Sequence, residues 1–217
     1  MITSERGRAG LFVSIGLAVP VLTTAAYMTF LGGPGEEGYA VYFTERWNDI
    51  VTVWLTEVIG FAIATVAAMG LAAQPGSERA SWNTIALGSL AGLVSTGIGL
   101  GAFKGFGTSG EQLFPLFGAV AELSFFFFFF GKAATALGVL GLGVELVRRA
   151  GIVGKVVGAA ALLAGLIAGV VNIVAMGQGL ALVMQAGFLG VIATAVGVPA
   201  ALVLTQSPAG GGDEAAR

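Results

Sequence analysis

Four ionisable side chains interrupt long apolar stretches of this chain. They are Glu57 in "VTVWLTEVIGFA", Lys104 in "GLGAFKGFG", Glu122 in "FGAVAELSFF" and Lys132 in "FFFFFFGKAAT". Two carboxylates and two amines could bind a proton or a cation. They could equally pair as structural ions that fix how helices meet. Other chemistries are poorly served. The chain has no His and no Cys, so imidazole and thiolate metal sites, disulfides and His-assisted nucleophiles are excluded. The only aspartates, Asp49 and Asp213, lie near or beyond the ends of the apolar segments, so no intramembrane aspartate dyad is available. The "GK" of Gly131 and Lys132 does not open a phosphate-binding loop, because Phe126 and Ala133 stand where glycine and Ser or Thr are required. A retinal-type lysine is missing from the last two apolar segments. The expectation is a protein that is not an enzyme and needs no cofactor or metal.

What could hold charges in such surroundings follows from composition. Hydrophobic residues make up 56% of the 217 and charged residues only 10%, with a mean hydropathy of +0.93. Soluble domains carry about 25% charged residues, so the lipid bilayer is the expected partner of this surface. Six consecutive phenylalanines turn through about 600° of helix, which no single buried face can accommodate. The net charge of −2 and the lack of a basic patch exclude nucleic acid as a partner.

Six apolar segments are long enough to cross about 30 Å of hydrocarbon, at about 10–32, 50–73, 84–106, 115–147, 154–176 and 180–204. Backbone groups in lipid must bond within their own segment, and no barrel-like alternation is present, so these read as helices. The first could be a signal peptide after Arg6 and Arg8, but its length, Pro20 and the lack of a cleavage motif favour a retained span. Asn48 and Asp49, Ser81, and the Ser109–Gln112 pair read as helix caps, and "GQG" at Gly177–Gly179 as the turn between the last two spans. The expected fold is an all-α polytopic integral membrane bundle, a single domain over 1–206, with a disordered cytoplasmic tail at 207–217.

Orientation follows from the basic residues. With both termini inside, Arg6, Arg8, Arg79, Arg148, Arg149, Lys155 and Arg217 are cytoplasmic and only Arg46 and Lys104 are outside. Tyr39, Tyr42 and Trp47 would then mark the outer interface and Trp82 the inner one. The plasma or inner membrane is the expected location.

Helix packing is expected along glycine stripes: Gly88, Gly92, Gly97 and Gly101 in the third span, and Gly154, Gly158, Gly165 and Gly169 in the fifth. One stripe could also face a second copy or a larger complex. A repeated "LAGL" at 90–93 and 163–166 is too short to argue an inverted repeat.

Depth ranks the four charges. Counting about 1.5 Å per residue, Glu57 lies about 12 Å past Asp49, Lys104 about 30 Å past Thr84, and Glu122 about 10 Å past Pro115. Glu57, Glu122 and Lys104 could therefore share the outer half of the bundle. Lys132 depends on the frame of the fourth span. A crossing at about 127–147 lets it snorkel outward and one at about 115–136 inward; only an intermediate frame, or a break at Gly131, strands it midway. Asn172 is the next polar position, either capping the outer turn or joining two helices by hydrogen bond. Two functions fit: an accessory or structural subunit of a membrane complex, favoured by the sparse polarity, or a small ion- or proton-coupled transporter or channel using Glu57 and Glu122 with Lys104 or Lys132.

Overall fold

The computed structural model describes residues 4–36, 38–110, 113–149 and 151–206; Gln112, one half of the expected capping pair, and the tail at 207–217 lie outside them. The described residues are mostly helical and include no strand. The helices are α1 (Glu5–Ala26), α2 (Gly38–Ala72), α3 (Arg79–Ile98), α4 (Phe114–Arg149), α5 (Ile152–Gln178) and α6 (Val183–Gln206). Wider π-helical turns prolong α1 through Tyr27–Leu31 and α3 through Gly99–Phe103, the latter followed by a last turn at Lys104–Gly107.

Among the described residues, five helical segments are long and apolar enough to cross a membrane: Glu5–Leu31, Gly38–Ala72, Arg79–Gly107, Phe114–Arg149 and Ile152–Gln206. The last, 55 residues long, doubles back. Gly179 takes φ +62, a conformation that costs a residue with a Cβ, and opens a single 3₁₀ turn, Gly179–Leu182. Ala175 then meets Ala186, and Ala168 meets Ala193, so α5 and α6 run antiparallel. Asn172 joins the two, its amide donating to the carbonyls of Ala168 (2.9 Å) and Ala186 (3.0 Å), while its own Oδ1 is buried without a partner.

Several helix starts differ from expectation. Gly38 begins α2 about three turns before Asn48 and Asp49, so these two are interior residues rather than caps. Ser81 lies in the first turn of α3, and Glu78 takes the cap position without a side-chain cap bond. Among the described residues, one side-chain cap of this kind was not expected: Ser4 Oγ accepts from Gly7 N–H at 3.0 Å. Trp82 is 1% exposed and belongs to the core, so it anchors no interface.

The helices meet through small residues spaced seven apart. Along α3 and α4, Ser81, Gly88 and Ser95 stand opposite Gly138, Gly131 and Ser124. A Cβ on Gly131 would lie 2.8 Å from the Gly88 carbonyl oxygen, and one on Gly138 would lie 2.8 Å from that of Ser81. Ser95 and Ser124 exchange hydroxyl-to-carbonyl hydrogen bonds at 2.8 and 3.0 Å. The other side of α4 repeats the device against α5. Gly143 and Gly158 would each place a Cβ 2.8–2.9 Å from the other's carbonyl oxygen, and Gly165 would place one 2.6 Å from that of Ala136. Close approach of this kind lets dispersion and weak polar contacts hold helices that lipid does not push together. The expected stripe in α3 is corrected in part. Gly88 and Gly92 are packed, the latter against the Phe61 ring, but Gly97 and Gly101 face open space. In α5, Gly158 and Gly165 are tight, Gly169 makes a looser contact with Leu137, and Gly154 is buried.

Helix α4 packs against α3, α5 and α6, and α1 closes the ring between α2 and α6. Gly10 lies against Thr205, so the described chain ends share one end of the bundle. That end carries Arg6, Arg79 and Arg149; the other carries an aromatic cluster.

Candidate functional site

Helix α4 decides the fate of Lys132. It runs 36 residues without a break at Gly131, and Lys132 stands eighteen residues after Phe114 and seventeen before Arg149. At about 1.5 Å per residue, either end of the helix is about 26 Å away. In the folded bundle the side chain does not run out along the surface: it is 4% exposed, at the midpoint of α4. Gly190 of α6 makes room for it, since a Cβ there would lie 2.9 Å from three carbons of the lysine stem. The Nζ sits 5.4 Å from the centre of the Phe128 ring. A ring face is a favourable neighbour for a cation, though far short of its hydration in water.

The nearest opposite charge is Glu57 on α2. It is half-buried, and Thr24 Oγ1 on α1 donates to its Oε1 at 3.3 Å. Glu57 and Lys132 feel each other's charge but make no salt bridge within 4.0 Å. Both line one cavity of about 20 Å³, bordered also by Ser95, Thr96, Thr135 and Thr194. A water needs about 10–15 Å³ of such space and two to four polar partners, so the cavity suits a single water. Thr194 already donates to Gly190 O (2.7 Å) and Ser95 to Ser124 O (2.8 Å), which leaves their oxygens as acceptors towards the cavity.

The other expected members are not part of this site. Lys104 is exposed at the aromatic end, 5.8 Å from the Trp47 ring centre. Glu122 is exposed on a different face of α4, in a separate groove beside the Gly177–Gly179 turn. Asn172 serves the α5–α6 pairing. The outer-half cluster of Glu57, Glu122 and Lys104 is therefore corrected to Glu57 with Lys132 alone. Thr96, Thr135, Thr194 and Gly190 escape sequence reading, because hydroxyls and glycines abound and nothing in their spacing points at a lysine on another helix.

Both approaches to the cavity are filled. At one end, Phe43, Trp47, Trp54, Phe103 and Phe117 interlock, with ring centres 5.5–6.3 Å apart, and Tyr42 donates to Tyr27 Oη (2.8 Å) or Gly32 O (2.9 Å). At the other end, Trp82, Leu71, Leu142, Leu146 and Leu204 form a core under a charged clasp. Glu78, 3% exposed, is held by Arg6 at the start of α1 and by Arg149 at the end of α4 (3.4 Å); Arg149 also bonds Glu145 (2.9 Å). Burial works to raise the Glu78 carboxyl. The Arg6 hydrogen bond, its own backbone N–H and the two arginine charges together outweigh burial and hold it below the usual range.

This clasp has a testable pH dependence. A carboxyl lowered in the folded state contributes stability above its ordinary value of 4.5, and loses it as pH falls through the lower folded value. Glu78→Gln is expected to cost about 1–3 kcal/mol at pH 7, reduced from a fully buried pair because both arginines are partly solvated. As pH falls below the folded value, the variant and the parent should converge. Thermal unfolding across pH in detergent checks this; a constant difference would show that charge is not what Glu78 contributes.

The chain matches no protein-family model, no curated protein and no solved structure, which leaves the geometry around Lys132 and Glu57 as the basis for assigning a function.

Proposed function

We propose that this chain crosses the membrane six times, with both termini cytoplasmic, and works as a small proton-coupled transporter whose exchangeable proton resides on the Lys132–Glu57 pair. The observation that carries the proposal is Lys132 itself, 4% exposed at the midpoint of α4 beside a water-sized cavity shared with Glu57. Ionisable groups at such depth cost about 2.5–3.5 kcal/mol on insertion scales and mark proton or ion routes by default. A pair held only to fix helix register would be in contact. This pair is not, and the cavity offers the place for a bridging water. Passing one proton from Lys132 to Glu57 through it converts a charged pair into a neutral one, which gives the site two states that a transport cycle can use.

Orientation is supported by the charges: Arg6, Arg8, Arg79, Arg148, Arg149 and Lys155 gather at one end, against Arg46 and Lys104 at the other. With the aromatic cluster at one end and the Glu78 clasp at the other, the arrangement is that of a transporter closed on both sides.

The tight packing favours a second reading, in which the chain is an accessory subunit of a larger complex or a homo-oligomer and Lys132 tunes its assembly. A cavity of about 20 Å³ admits no organic substrate in this state. Purification in mild detergent and reconstitution into liposomes separates the two. Under an imposed pH gradient and an opposing potential, the purified protein is expected to move protons on its own, read by an internal pH dye. Absence of flux from the lone chain, with flux or assembly restored by a co-purifying complex, would favour the accessory reading.

A further inference from the structure

Glu122 is a carboxylate that the Lys132 site does not use, and its surroundings are specific. The seven-residue register that sets Gly143 against Gly158 and Ala136 against Gly165 brings residue 122 opposite residue 179, where α5 ends. There a groove of about 340 Å³ is lined by Glu122, Phe126, Phe129, Met176, Gln178 and Gly179, with Gly177 between the last three. Glu122 makes no ion pair or hydrogen bond among the described residues, although it lies eight residues inside α4 beside the outward-facing Leu123 (51% exposed) and Phe126 (44%). Facing it is the C-terminal turn of α5, whose carbonyl end carries about half a negative charge. A carboxylate set against a negative helix end repels it unless a cation stands between them.

We infer that this groove binds an alkylammonium group, with Glu122 as its counter-ion. The walls select the kind of cation. Among the described residues no three His, Cys, Asp or Glu side chains converge, and one carboxylate is too few for a calcium or magnesium ion, which takes six or more oxygens. The exposed Phe126 ring and the Met176 thioether, with buried Phe129 behind them, instead suit a weakly hydrated organic cation, which gains from an aromatic face part of what it loses in water. The volume sits at the small end of ligand sites. Placed beside the α5–α6 turn at the aromatic end of the bundle, the groove can receive the ammonium of a phospholipid headgroup or of a free amine; the chemistry of the contact is the same.

The test uses the full chain in nanodiscs of phosphatidylglycerol, whose headgroup has no ammonium, titrated with choline and followed by calorimetry. Saturable binding at one site per chain is expected. Glu122→Gln should weaken it at least about tenfold, the scale of losing one desolvated cation contact, and Phe126→Leu by a smaller factor. Repeating the titration in phosphatidylcholine discs identifies the source. Weakened choline binding, with one lipid retained by native mass spectrometry, assigns the lipid headgroup; unchanged binding assigns a free amine. Lys132→Met should leave all of this intact, so the groove and the proton site fail separately. No saturable binding in phosphatidylglycerol, or an unchanged midpoint in Glu122→Gln, overturns the inference.

Discussion

Lys132→Met is expected to abolish proton flux while leaving the bundle as stable as before, or more so. The two effects have separate origins. Methionine nearly matches the lysine stem, so it keeps the contact with Gly190 and the fit beneath Phe128. It removes a buried charge whose desolvation the protein otherwise bears, and replacing buried ions with apolar groups of similar volume is often neutral or stabilising by about 1–4 kcal/mol. Glu57, half-buried and hydrogen-bonded by Thr24, can take up a proton when its partner is gone. Flux should fall to that of empty liposomes, because no other amine lines the cavity. Lys132→Arg sharpens the result: it keeps the positive charge but cannot release its proton in any accessible range, so it should be as inactive as methionine. Glu57→Gln should likewise be inactive. Liposome flux and thermal unfolding, measured on the same preparations, decide the matter. An active Lys132→Arg variant would sink proton exchange at Lys132, and a Lys132→Met variant that fails to fold would make the lysine structural.

The sequence announces the helices and their apolar character through composition and segment length alone, since lipid leaves the backbone few options. The turn at Gly177–Gly179 was legible for the same reason: these three small or polar residues are the one turn-like run in a largely apolar stretch of 55 residues. Helix ends were less legible. α2 and α4 extend well past the hydrocarbon length, so Asn48 and Asp49 resemble caps while lying inside a helix. The site was half legible. Glu57 and Lys132 stand out as charges among apolar neighbours, but one sequence cannot say that α4 runs straight through Gly131, which is what traps Lys132. Nor can it reveal Gly190 as the counterpart of a lysine 58 positions earlier, because that relation exists only once α4 and α6 touch. The Glu78 clasp is similar. Arg6, Glu78 and Arg149 are ordinary loop charges in the sequence and become one network only in the folded bundle.

The same distinction governs the glycines, and here the expected effect on folding is largest. Gly88→Leu and Gly131→Leu should each cost at least about 3 kcal/mol, at or above the usual penalty for overpacking, because the added atoms meet backbone, and at Gly88 the Thr135 hydroxyl as well. A Cβ on Gly88 would lie 2.7 Å from both the Gly131 oxygen and the Thr135 nitrogen, so α3 and α4 must separate to admit it. Separation also breaks the reciprocal Ser95–Ser124 hydrogen bonds one turn pair along the interface. Gly97→Leu and Gly101→Leu, on an outward face with nothing within 4 Å, should be neutral or slightly stabilising, since glycine is about 1 kcal/mol poorer than leucine as a helix former. Thermal unfolding of the four variants in one detergent gives the comparison; equal losses at all four positions would mean that the seven-residue register is not what holds α3 to α4. Gly131→Ala is the milder probe. Its Cβ alone meets the Gly88 carbonyl oxygen at 2.8 Å, so backbone must shift beside Lys132, and proton flux should fall by more than the loss of stability alone explains. A cavity of about 20 Å³ has no slack with which to keep one water between two charges when its walls move.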